Sequence, residues 1–82
     1  MNRADIAIAI KIDERFFYGF GKSGRVITAW SLAGAKLFGY WHDEDICHIE
    51  KRLEAKGKKH HRILVAVQDG DVQIMEVGNN EE

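Results

Sequence analysis

The sequence predicts an α+β domain: an antiparallel sheet of about five strands in the order β-β-β-α-α-β-β, with one short and one longer helix packed on one face. Three observations carry this. Ile6, Ile8, Ile10 and Ile12 alternate with Ala7, Ala9 and Lys11, the period-two pattern of a β-branched strand. Ile46, Ile49 and Leu53 recur at helical spacing behind the acidic pair Glu44-Asp45, which the helix dipole favours at an N-terminus. Asp69-Gly70 is the strongest hairpin-turn signal in the chain and joins two apolar runs.

The remaining elements follow in order. Asp13-Glu14-Arg15 is a short polar connection, and Phe16-Phe17-Tyr18-Gly19-Phe20 has the composition of a second strand antiparallel to the first. Lys22-Ser23-Gly24 suits a hairpin loop with glycine in the left-handed position, so that Arg25 to Trp30 forms the third strand. Ser31 caps a short helix from Leu32 to Phe38, stopped by Gly39. His42 or Asp43 precedes the longer helix, and Gly57 ends it. The basic connector Lys58-Lys59-His60-His61-Arg62 leads into the strand Ile63 to Val67, and Val72 to Val77 returns. Residues 78–82 form a frayed acidic tail. Either edge of the first three-stranded meander can receive the last hairpin, and a helical crossover back to the first strand would set strand four beside strand one and could make that pair parallel.

The aromatic run makes register the central question, because it holds half of the chain's aromatic rings and a strand points successive side chains to opposite faces. A tight Asp13-Glu14 turn sets Ile10 opposite Phe17 and turns Phe16, Tyr18 and Phe20 away from the isoleucines. A loop one residue longer sets Ile12, Ile10 and Ile8 opposite Phe16, Tyr18 and Phe20. Glu14 and Arg15 are poor residues for a type I′ turn, which favours the longer loop. In that register Val26, Thr28 and Trp30 lie opposite Phe20, Tyr18 and Phe16 in one core, and Phe17 is the exposed ring.

Composition narrows the function classes. At 82 residues the chain has room for one domain spanning 1–82 with one core. A net charge of -1 argues against a polyanion as an obligate partner, so a nucleic-acid case must rest on a local patch. A single cysteine, Cys47, excludes an internal disulfide and a cysteine-rich metal site, and fits a reducing compartment. No uninterrupted apolar stretch resembles a signal peptide or membrane span, and a cytoplasmic location is expected.

Four local patterns invite chemical readings. Gly21-Lys22-Ser23 looks like the end of a phosphate-binding loop, but Phe16 stands where that motif needs glycine, and a strand follows instead of a helix. Tyr18-Gly19-Phe20 resembles the aromatic-glycine-aromatic centre of an RNA-recognition strand, although its surroundings do not match. His42-Asp43-Glu44-Asp45-Ile46-Cys47-His48 contains every common metal-ligand type without a reinforcing pair, and an acidic helix start explains it as well. No metal, cofactor or catalytic residue is assigned. Lys58, Lys59 and Arg62 are the candidate phosphate contacts within the one dense basic segment. Tyr40 and Trp41, beside Gly39, either seal one end of the core or protrude as anchors.

The string from Tyr18 through Gly21-Lys22-Ser23-Gly24 and Trp30-Ser31-Leu32-Ala33-Gly34-Ala35-Lys36 to Phe38 resembles the small single-domain proteins common in bacteriophages and prophages. The resemblance implies action by binding a host protein, without catalysis. The expected function is therefore a non-enzymatic protein-binding module, possible also as a homodimer, with Phe17, Tyr40 and Trp41 as anchors. The rival is a single-stranded nucleic-acid binder that combines sheet aromatics with Lys58, Lys59 and Arg62.

Overall fold

The computed structural model describes residues 5–39, 41 and 43–75. Its strands are β1 (Asp5–Ile12), β2 (Arg15–Phe20), β3 (Val26–Ala29), β4 (His61–Gln68) and β5 (Asp71–Ile74), with one α-helix, α1 (Glu44–Ala55), between β3 and β4. They form a single antiparallel sheet in the order β3-β2-β1-β4-β5. The last hairpin has joined the free edge of β1, and its pairing there is antiparallel from Asp5↔Val67 to Lys11↔His61.

β1 lies at the centre and separates two packed layers. Ile8, Ile10 and Ile12 face α1, where they meet Ile46 and Leu53 together with Phe17 and Phe38. Ala7 and Ala9 face the other way with Val65, and their small side chains let Leu32, Ala35 and Leu37 lie close against the sheet. The alternation visible in the sequence thus serves two unequal faces, one built for a helix and one for an extended segment.

α1 begins and ends as its residues dictate. The Asp43 carboxylate accepts from the Asp45 amide at 2.8 Å, an N-cap that satisfies one orphan donor of the first turn. At the other end Gly57, at φ +73°, donates to the Glu54 carbonyl, and Lys58 donates to Leu53, closing a Schellman motif.

The β1–β2 turn is the tight one, with Lys11 opposite Phe16 and Ile12 opposite Arg15. This corrects the longer-loop expectation. A type I′ turn needs two left-handed residues, but here Asp13 alone has positive φ, at 57°, which an aspartate tolerates, and Glu14 keeps an ordinary backbone. Phe17 therefore falls on the isoleucine face and is the most deeply buried ring, 1% exposed. A β-bulge between Phe17 and Gly19 then shifts the β2–β3 register, so that Phe17 pairs with Thr28 while Gly19 pairs with Ile27. The extra residue is Tyr18, 58% exposed. Beyond the bulge Phe20 returns to the helix side, and its ring meets Phe17 edge-on at 5.2 Å. Phe20↔Val26 is as expected, whereas Trp30, expected opposite Phe16 in the core, is 72% exposed.

The short helix expected from Leu32 to Phe38 is replaced by a 3-10 turn at Leu32–Gly34 and an extended segment. Ser31 makes no side-chain cap, and Ala35 is already extended, at ψ 150°. What competes with the helix is the sheet itself. β1 and β2 pair only near their turn, and Lys36 to Phe38 enters the gap: the Lys36 amide donates to Phe17 at 2.9 Å, while Phe38 and Ile8 exchange hydrogen bonds of 2.8 and 2.9 Å. Those backbone groups are satisfied by tertiary pairing that a helix would forgo. Gly34 permits the turn to approach β3, since a Cβ there would stand 2.9 Å from that of Ala29. The returning strand β5 ends at Ile74; Val77 and the expected acidic tail lie outside the described residues. No described helix is long and apolar enough to cross a membrane.

Candidate protein-binding site

At the turn end of the sheet, a groove of about 490 Å³ opens on the helix side. Ile12 and Val26 give it apolar walls, and Thr28, Trp30, Arg15 and Lys58 complete it, with Asp13 and Glu14 from the β1–β2 turn on its rim. The tight turn is what places Arg15 opposite Ile12 on this face, and the Arg15 guanidinium lies over the Trp30 ring at 3.8 Å from its centroid. A second stack, Arg52 over Phe20 at 3.7 Å, ties α1 to β2.

The expected anchors separate in space. Phe17 is core, so it offers no ring to a partner; the tight turn put it there. Trp41 is exposed, 44%, at the entry to α1, and Tyr40 lies outside the described residues. Trp30 and Tyr18, expected in the core, are instead exposed rings. The turn and the bulge place Tyr18 outside, whereas Trp30 shares the face of Val26 and Thr28 and is exposed because nothing among the described residues covers it there.

The basic segment is also divided. Lys58 reaches the groove and Lys59 is exposed beside it, but Arg62 points to the helix side, opposite Ile10. There it donates to both carboxylate oxygens of Glu50, at 3.0 and 2.7 Å, and to the Trp41 carbonyl, while its guanidinium lies 5.0 Å from the Trp41 ring. Cys47 Sγ is 3.9 Å away, and His60 Nε2 stands 3.6 Å from Glu50. Glu50 follows Ile46 by one helical turn, on the inward stripe, so it needs such a partner. Arg62 is thus committed to structure, which removes one of the three cations proposed for phosphate contact.

The Arg62 hydrogen bonds hold the Glu50 carboxyl below its ordinary value of 4.5, against burial, which pushes it up; the same contact raises Arg62. A carboxyl depressed in the folded state stabilises above its unfolded value and loses that contribution as pH falls through the folded one. Glu50→Gln should therefore be less stable than the parent at neutral pH, with the difference shrinking below 4.5. Urea midpoints of both proteins across that acid range check this, and a constant difference would count against the ion pair.

Gly21-Lys22-Ser23 belongs to a hairpin loop whose 3-10 turn, Lys22–Gly24, leads into β3. Among the described residues no three His, Cys, Asp or Glu side chains converge as for a metal ion; His42 lies outside them. No family model, curated protein or solved structure matches the chain.

Proposed function

We propose that this chain is a small non-enzymatic protein-binding module that uses the groove between β3 and the C-terminal end of α1. The observation that carries the reading is Trp30: a ring 72% exposed at a groove walled by Ile12 and Val26, with an arginine stacked upon it. Tryptophan and arginine dominate the binding energy of protein interfaces, above all where they border a pocket that a partner can desolvate. A phage-type protein acting on a host protein, or a homodimer, fits this surface, and its one cysteine suits a cytoplasmic setting.

The nucleic-acid alternative is weaker because the groove rim carries both signs, Asp13 and Glu14 beside Arg15 and Lys58, while Arg62 is engaged with Glu50. Phosphate tracking along this groove would need unopposed cations within it, and such binding falls steeply with salt. Capture of partners on the tagged chain, with and without nuclease, alongside solution mass, decides between them. The expected result is a nuclease-resistant protein partner, or a dimer, retained at high salt. Recovery of only a strict monomer, or salt-sensitive binding to single-stranded probes, would overturn the proposal.

A further inference from the structure

We infer that the partner contributes an extended acidic segment that joins the sheet as a further strand beside β3, an inference that rests on the protein-binding reading above. β3 is the terminal strand of the sheet, and among the described residues no backbone hydrogen bond outside the strand ladder involves Val26 to Ala29. Its outer row of N–H and C=O groups is a template for another chain. Of the devices that usually blunt such an edge, β3 has shortness, at four residues, and the neighbouring bulge, but its sequence Val-Ile-Thr-Ala carries neither charge nor proline. The opposite edge is different: β5 starts with Asp71, and the hollow beside it is only about 130 Å³ and is lined by Asp69 and Asp71.

This uncharged edge is also the groove wall. Val26, Thr28 and Trp30 line the groove, so an added strand would place alternate side chains beside them while its backbone pairs with β3. Charge then selects the segment. Arg25 directly precedes β3, Lys22 lies in its loop, and Arg52 and Lys56 reach to 3.3 and 3.6 Å from the Cβ position of Gly24. The ion pairs among the described residues are those of Glu50 with His60 and Arg62, so no carboxylate of a described residue lies within 4.0 Å of these four cations. Carboxylates flanking an apolar centre would meet them. A nucleic acid would meet the same charges but could not complete the strand ladder.

The test uses the full chain and a labelled peptide of about nine residues, with a Val-Thr-Val-Thr-Val centre flanked by glutamates, against its lysine-flanked counterpart. Two further versions of the glutamate peptide carry N-methyl groups on alternate amides, in the two possible phases. Strand addition uses one set of alternate amides, so one methylated phase should bind like the parent and the other should not. The lysine peptide should bind at least about 10-fold more weakly, and Lys22→Glu with Arg25→Glu should reverse the order. Backbone amide shifts should change at Val26–Ala29. Equal binding of both charges, equal binding of both methylated phases, shifts centred on β5, absence of any peptide binding, or competition by a single-stranded oligonucleotide would each overturn the inference. Trp30-dependent capture of a protein despite such a result would leave the broader binding role standing.

Discussion

Phe17→Ala is expected to remove about 3–5 kcal/mol of stability, whereas Tyr18→Ala, one residue along, should cost less than about 1 kcal/mol. Phe17 is 1% exposed and packs with Ile10, Ile46 and Leu53 beneath α1, where the protein cannot collapse around a deleted ring without moving the helix. Small domains hold only about 5–15 kcal/mol in total, so the variant should sit close to unfolding at ambient temperature. Tyr18 is pushed out by the bulge and leaves no cavity. Urea titrations with matched slopes measure both. A Tyr18→Ala loss as large as that of Phe17→Ala would mean that the β1–β2 register is the longer-loop one and that the binding face must be redrawn.

Trp30→Ala should weaken binding to the captured partner by about 2 kcal/mol, roughly 30-fold, with little change in melting temperature. The ring is mostly exposed, so folding gains little from it, and its removal also frees Arg15 from its stack. Trp41→Ala is the useful comparison, because that ring lies beside Arg62 and the change should register in stability as well as in any binding. Titration of each variant against the partner, beside thermal melts, separates the two effects. Unchanged affinity for Trp30→Ala would place the interface elsewhere.

The elements with strong local signals were legible in the residues. The alternating isoleucines, the Asp69-Gly70 hairpin and the helix running to Gly57 all stand where their periodicity or turn chemistry put them. The short helix was misread for a physical reason: Leu32 to Phe38 has acceptable helical spacing, but the gap between β1 and β2 offers its backbone better partners. The placement of the β2 rings differs because side-chain direction in a strand depends on register: the tight turn at Asp13 turns Phe17 inward, and the bulge at Tyr18 returns Phe20 to the same face, while Trp30 keeps the face of Val26 and Thr28 but stays uncovered there. Trp41 was recognisable as an anchor candidate from its place at a break between elements, while Trp30 carried no such signal.

By itself, then, the sequence determined the class of fold, the isoleucine strand, the longer helix with its caps, and the concentration of rings in β2. These depend on interactions between residues a few positions apart. Tertiary structure alone decided that β4 joins β1, that Lys36 to Phe38 enters the sheet, that Arg62 belongs to Glu50, and that Phe17 is core while Trp30 is left uncovered. Each is a contest between distant backbone groups or charges for the same partner, and local pattern carries no record of which competitor wins.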